Sequence, residues 1–209
     1  MSQEQKSGRA IVRLSRADKS DAVEVLALAF HKYPLMRYVL KEAGAAYDEH
    51  LRALIGFFVE SRLTRYWPLL GVKEGAMLAA VAAANSPGKK PRPKELQEVY
   101  ERMTRLIGPE ATERLEEFER ITDRFVPDTP YYYLGMIGVR PELQRGGLAR
   151  MLLEHLHAMS EADPVSTGVC LSTELPSNVP LYEHFGYRIL GDADVGEIHT
   201  WGMFRKEHR

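Results

Sequence analysis

The sequence is poorest in cysteine. Its 209 residues include one, Cys170, so no disulfide framework can form within the chain and a reducing compartment is expected. Long apolar runs are also missing. The longest, Ala76 to Ala84, falls well short of the ~20 residues that cross a bilayer. The opening "MSQEQKSGRA" has no apolar stretch, and no secretory signal is expected there. Excess charge of either sign is absent, with a formal net charge of −1, so neither nucleic acid nor a membrane surface is an expected partner. No Cys/His spacing reads as a zinc site, and no metal is expected. Neither the G-x-G-x-x-G fingerprint nor a Gly-Lys-Ser/Thr phosphate loop occurs. Together these absences point to a soluble cytoplasmic protein. Its 44% hydrophobic and 27% charged residues are ordinary for a globule.

What the chain does contain is a dense succession of periodic segments. Residues 1–8 are polar and read as a frayed tail; residues 9–209 read as one domain. "RAIVRLS" (9–15) predicts a strand. "ADKSDAVEVLALAFHKY" predicts a helix, with Asp18 or Ser20 as cap and Pro34 as stop. "YDEHLRALIGFFVESRL" predicts a second, with Leu51, Leu54, Ile55, Phe58, Val59 and Leu63 on one stripe. Two strands are expected around a Lys73-Glu74-Gly75 turn. The alanine-rich second one has helical propensity, but the turn signals that bracket it favour strand. "GKKPRP" reads as a loop. Residues 93–126 read as an inserted helical pair split at Gly108-Pro109, its charge run forming a solvated face. "YYYLGMIGV" and "GVCLST" predict strands. "NVPLYEHFG" predicts a short helix capped by Asn178. "YRILGD" and "EIHTWGMFR" predict a closing antiparallel pair. This order predicts a mixed α/β layer architecture around one sheet.

The stretch "VRPELQRGGLARMLLEHLHAM" (139–159) carries the first chemical signal. A strand, a glycine turn and a helix in succession suit an anion. The first N–H groups of a helix lack internal partners, and the helix dipole places partial positive charge there. Gly146 and Gly147 would let a ligand touch the backbone, and Arg145 adds a cation. The same two glycines also suit a plain tight turn.

The spacing Gln144-x-x-Gly147-x-Ala149 after "IGVRP" resembles the pyrophosphate loop of the GNAT superfamily of N-acetyltransferases. "LSTELPSNVPLYEHFGY" resembles that superfamily's second signature. "RLSRADKSDAVEVLALAFHKYP" and "HTWGMFRK" are similar to its puromycin N-acetyltransferase branch. The resemblance spans residues 10–207, strongest over 131–190. It implies a GNAT fold: one central, mostly antiparallel sheet with splayed fourth and fifth strands, flanked by helices. It also implies acetyl-CoA as acyl donor. The pantetheine arm would bond to backbone near Ile137 and Val139, with Met136 and Gly138 bordering the thioester. Gln144, Arg145, Gly146, Gly147, Leu148 and Ala149 would hold the pyrophosphate. Asn178 would touch the arm as well as capping its helix, and Tyr182 would stand by the CoA sulfur.

The implied activity is direct transfer of an acetyl group from acetyl-CoA to a primary amine of a small molecule. The alternative is a non-catalytic CoA- or metabolite-binding module of the same fold. Tyr182, protonated at neutral pH as a phenol, is the expected general acid. Ser172 occupies the place where relatives carry a fifth-strand glutamate, which leaves the base open. Glu174 is the next carboxylate, read either as that base or as a solvated loop residue. The resemblance puts His31, Tyr33 and Tyr133 on the substrate side. His155 and His157, two apart on one helix, do not form a chelate. Cys170 reads as a core thiol. Asp192, Asp194 and Glu197 read as an acidic turn, solvated or attractive to an amine. The segments expected to choose the amine, 31–48 and 191–197, read as loops. A homodimer is the base-rate expectation.

Overall fold

A computed structural model describes residues 8–88 and 91–207. The tail residues 1–7 and the two lysines of "GKKPRP", Lys89 and Lys90, lie outside them. Seven strands form one sheet in the order β1-β2-β3-β4-β5-β7-β6. Every neighbouring pair is antiparallel except β4 and β5. The strands are β1 (Arg9–Arg13), β2 (Leu69–Glu74), β3 (Met77–Asn85), β4 (Tyr132–Val139), β5 (Gly168–Thr173), β6 (Arg188–Val195) and β7 (Ile198–Lys206). The helices are α1 (Lys19–Phe30), α2 (Pro34–Val39), α3 (Tyr47–Arg65), α4 (Lys94–Ile107), α5 (Pro109–Thr122), α6 (Leu148–Ala162) and α7 (Asn178–His184). No helix among the described residues is long and apolar enough to cross a membrane.

The centre of the sheet is buried on both faces, while β6 at its edge is largely exposed. Residues of α1 to α5 pack on one side, and α6 with Tyr182 and Tyr187 on the other. Strand β3 shows why its alanines form strand despite their helical propensity. Val81 and Ala83 enter one core, while Ala80, Ala82 and Ala84 enter the other. A central strand covered on both faces needs an unbroken apolar run of this kind, and tertiary burial outweighs local preference.

Strands β4 and β5 meet at only three positions, Tyr132 with Val169, Tyr133 with Cys170, and Leu134 with Leu171. Beyond them β4 stays with β3 as far as Val139, and β5 stays with β7 as far as Thr173. The two halves of the sheet therefore part from Gly135 onward, the splay the resemblance implied. The divergence begins at a bulge. Ala83 pairs with Met136 and Ala84 with Leu134, which leaves Gly135 as the extra residue of β4.

Several boundaries differ from those expected. Pro34 starts α2 rather than merely ending α1, because a proline at the first helical position gives up no hydrogen bond the helix would have used. The segments expected as loops are ordered accordingly: 34–39 is α2, and Asp192 and Asp194 lie on β6 rather than in a turn. Glu197 stays in the turn and pairs with Lys41 at 2.7 Å. Ser177, not Asn178, is the N-cap of α7. Lys73 and Glu74 belong to β2, which moves the hairpin turn to Gly75 and Ala76.

Candidate active site

The turn before α6 has the form its sequence predicts. Arg145 and Gly147 take left-handed backbone with φ of +64° and +80°. For a non-glycine residue that conformation costs ~1–2 kcal/mol, so the loop is held against a local preference. Part of the hold comes from a residue the sequence did not single out: Arg9 Nη1 donates to the Gly146 carbonyl at 2.8 Å while its Nε pairs with Glu74. Gln144 Nε2 reaches back to the Val139 carbonyl at 3.5 Å. The N–H groups of Gly146, Gly147, Leu148 and Ala149 have no backbone acceptor among the described residues. They form a row of donors at the positive end of a 15-residue helix, which fits a phosphate group.

Where β4 and β5 part, a cavity of about 990 Å³ opens. Tyr33, Tyr133, Ile137, Glu174, Asn178 and Tyr182 all line it. The link between α1 and α2, β4, the end of β5 and α7 thus bring together six of the residues singled out from sequence. Val139 is buried on the α6 side. Gly138 faces α1: a Cβ there would come within 2.8 Å of Ala29 Cβ and 3.1 Å of Leu26 Cδ2. Its lack of a side chain thus serves helix–strand packing. His31 stays outside the cavity, pairing with Asp48 at 2.9 Å with its side chain 45% exposed.

Glu174 follows β5 directly, and its side chain is buried at 6% exposure. It is not a solvated loop residue. Thr200 on β7 donates to Oε1 at 2.8 Å, and the Glu174 N–H donates to the Tyr33 hydroxyl at 3.2 Å. Burial raises the carboxyl pKa to about 7, with hydrogen bonds from Thr200 and Tyr33 opposing the rise. A carboxylate poised there can accept a proton at neutral pH.

Tyr182 is buried beside it, its ring 5.5 Å from that of Tyr187. Burial first, and the Glu174 charge second, push its phenol up to about 12. Asn178 donates to Thr173 Oγ1 at 3.1 Å, an atom that also meets the Tyr33 hydroxyl at 3.2 Å. Tyr133 contacts Ser172 Oγ at 3.0 Å. So the serine in the fifth-strand position supports a tyrosine, and the carboxylate stands two residues further on.

His157, His199 and Cys170 do not line the cavity. His157 is buried against the Tyr187 hydroxyl at 3.0 Å, where desolvation lowers its pKa to about 4. His199 lies between Asp192 and Asp194. Cys170 is a buried free thiol. Missed from sequence were Thr200, Thr173 and the α3 side of the cavity, chiefly Arg62. These come from distant elements, and no local pattern marks them.

Comparison with known proteins agrees with this geometry. Residues 114–189 match the family model of the acetyltransferase (GNAT) domain. Among solved structures, the chain is similar to the histone acetyltransferase HPA2 and related acetyltransferase of Corynebacterium glutamicum. The identity is 18%, the TM-score 0.74, and the match covers 96% of this chain and 97% of that one. A polyamine N-acetyltransferase of Drosophila melanogaster that forms N-acetylagmatine matches at 16% identity and TM-score 0.62, over 94% and 98% of the two chains. The PaiA N-acetyltransferase of Thermoplasma acidophilum, solved with coenzyme A, matches at 11% and 0.56, over 96% and 99%. The fold is the GNAT fold: one mixed sheet of seven strands with a parallel β4–β5 pair, flanked by helices.

Proposed function

We propose that the protein is an N-acetyltransferase that moves the acetyl group of acetyl-CoA directly to a primary amine of a small molecule. The observation that carries this reading is Glu174: a buried carboxylate with a pKa of about 7, lining the same cavity as Tyr182 where β4 and β5 part. A module that only bound CoA would have no need of a buried base at that place.

Acetyl-CoA would supply the activated acetyl group. The free N–H groups from Gly146 to Ala149, with Arg145 beside them, suit its pyrophosphate. The unpaired inner edge of β4 at Ile137 and Val139 suits a strand-like arm. Asn178 and Tyr182 border the same space. Glu174 takes the proton that the attacking ammonium must lose. Tyr182 hydrogen-bonds the departing sulfur. Full proton transfer from a phenol at about 12 to a thiolate whose thiol ordinarily titrates at ~8.5 runs uphill by on the order of 5 kcal/mol. Once Glu174 is protonated, its charge no longer raises Tyr182, so the first proton transfer eases the second. Tyr33 orients Glu174 through its backbone N–H.

The likeness of the first helix and last strand to the puromycin N-acetyltransferase branch supports a kinship with that group without making puromycin the substrate. One buried free thiol fits work in the cytoplasm. The test is thermal. Acetyl-CoA at 100 times its Kd should stabilise the protein by about 2.7 kcal/mol, and an amine panel should release free thiol. Absence of any melting shift with millimolar acetyl-CoA sinks the reading.

A further inference from the structure

The mechanism above leaves unused the cavity's most unusual lining residue. Arg62, on α3, is only 6% exposed. Its Nη1 donates to the Phe58 carbonyl one turn back at 3.1 Å, and its Nε is buried with no hydrogen-bond partner among the described residues. No carboxylate of the described residues forms an ion pair with it. A cation removed from water with no carboxylate in contact is costly. Chain geometry nevertheless makes room for it. The bulge residue Gly135 lies under the guanidinium, where a Cβ would come within 2.5 Å of Nη2. Burial lowers the Arg62 pKa only to about 10, so it keeps its charge at neutral pH.

Two more polar atoms wait in the same cavity. Trp67 Nε1 and Asn85 Oδ1 are buried without hydrogen-bond partners among the described residues. Tyr133 lines the same cavity and interacts electrostatically with both Arg62 and Glu174. Phe30, Phe57, Phe58, Leu115 and Phe118 give the cavity aromatic and apolar wall, and its charged lining includes the exposed Arg92, Asp123 and Arg124 and the half-buried Arg65, so Arg62 is the buried arginine among them. Glu119 also lines the cavity and interacts with Arg62 without touching it. That negative charge disfavours a phosphate dianion and leaves a monoanion as the better fit.

We infer that the acceptor amine carries a carboxylate, which Arg62 binds at the α3 end of the cavity while the amine meets Glu174 at the β5 end. The substrate class is an amino acid or short peptide with an aromatic or large apolar body. This rests on the acetyl-transfer reading and specifies its acceptor.

The experiment compares matched pairs that differ only in the carboxylate: phenylalanine with phenethylamine, tryptophan with tryptamine, and Phe-Phe with its C-terminal amide. Thiol release from acetyl-CoA is the readout, for wild type, Arg62→Met and Arg62→Lys. Wild type should favour at least one acid over its mate by tenfold or more in kcat/KM, mainly through KM. Arg62→Met should erase that preference and leave the neutral mate's kcat within about threefold. Arg62→Lys should retain part of it, since a point charge replaces the bidentate fork. A merely structural arginine would instead lower the melting temperature on conversion to Met. A charge kept for a ligand should leave it unchanged or raise it. Equal turnover of acids and mates overturns the inference and leaves acetyl transfer standing. So does failure of every acid both to release thiol and to raise the melting temperature while acetyl-CoA still raises it. Loss of the acetyl-CoA shift in wild type overturns both.

Discussion

The Thr200 hydroxyl donates to Glu174 Oε1 at 2.8 Å, and both side chains are shut away from solvent. This bond joins the end of β5 to the middle of β7. It holds the carboxylate towards the cavity and opposes, without cancelling, the rise in pKa that burial imposes.

The rate should follow Glu174's ionisation. As a base it must be charged, so kcat/KM should climb with pH through about 7 and then level off. Glu174→Gln should lower kcat by ~10²–10⁴-fold and abolish that limb. Thr200→Val removes a bond that favours the charged form, so it should move the limb to higher pH. Initial rates from pH 5.5 to 9 check all three.

Stability should respond with the opposite sense. The folded carboxyl titrates near 7 against 4.5 unfolded, so the folded chain binds the extra proton between those values. Stability is therefore highest below about 4.5 as far as this group is concerned, and is lost as pH rises to 7. The penalty above that range is on the order of 3 kcal/mol. Glu174→Gln should accordingly raise the melting temperature at pH 8 and change it little at pH 4.5. Calorimetry at the two pH values decides this, and a variant less stable at pH 8 would contradict it.

Tyr182 should act on turnover rather than on binding. Tyr182→Phe keeps the ring that packs on Tyr187 and loses only the hydroxyl. Turnover should fall by ~10²-fold, the lower end of acid catalysis, with acetyl-CoA affinity within a factor of three by titration calorimetry. Unchanged turnover would remove Tyr182 from the chemistry.

The α6 turn separates backbone strain from ligand charge at one residue. Arg145 holds φ of +64°, a conformation glycine adopts freely. Arg145→Gly should leave stability the same or raise it by up to ~1 kcal/mol, the relief being partly offset by glycine's greater unfolded-state freedom. Acetyl-CoA affinity should fall ~3–10-fold and lose part of its salt dependence. Melting curves and titrations at two ionic strengths measure both.

Residue order made the local signals readable. A strand, "QRGG" and an amphipathic run lie within a few residues of one another. The turn, the helix start and its free N–H groups follow from chain geometry over that short range. "NVPLYEHFGY" placed Asn178 and Tyr182 on a short helix for the same reason, although the cap moved to Ser177. Strand β3 was legible from the turn signals at its two ends, its alanines favouring helix, and the last two strands from their alternation of apolar and polar residues.

At Pro34 the local signal is two-sided. A proline both ends one helix and begins the next, and only packing against α5 and β7 shows which.

What lay beyond reach were properties that arise when distant segments meet. Glu174 reads equally as a base or as a loop carboxylate until β7 brings Thr200 over it and the start of α2 brings Tyr33. Its pKa comes from that enclosure, not from its neighbours in sequence. Arg62 is one of several arginines on a helix until the β4 bulge closes beneath it. Residue order settles which groups are present and which local shapes they favour. Folding settles which of them lose water and which face each other, and desolvation and charge pairing over a few ångströms turn those groups into a site.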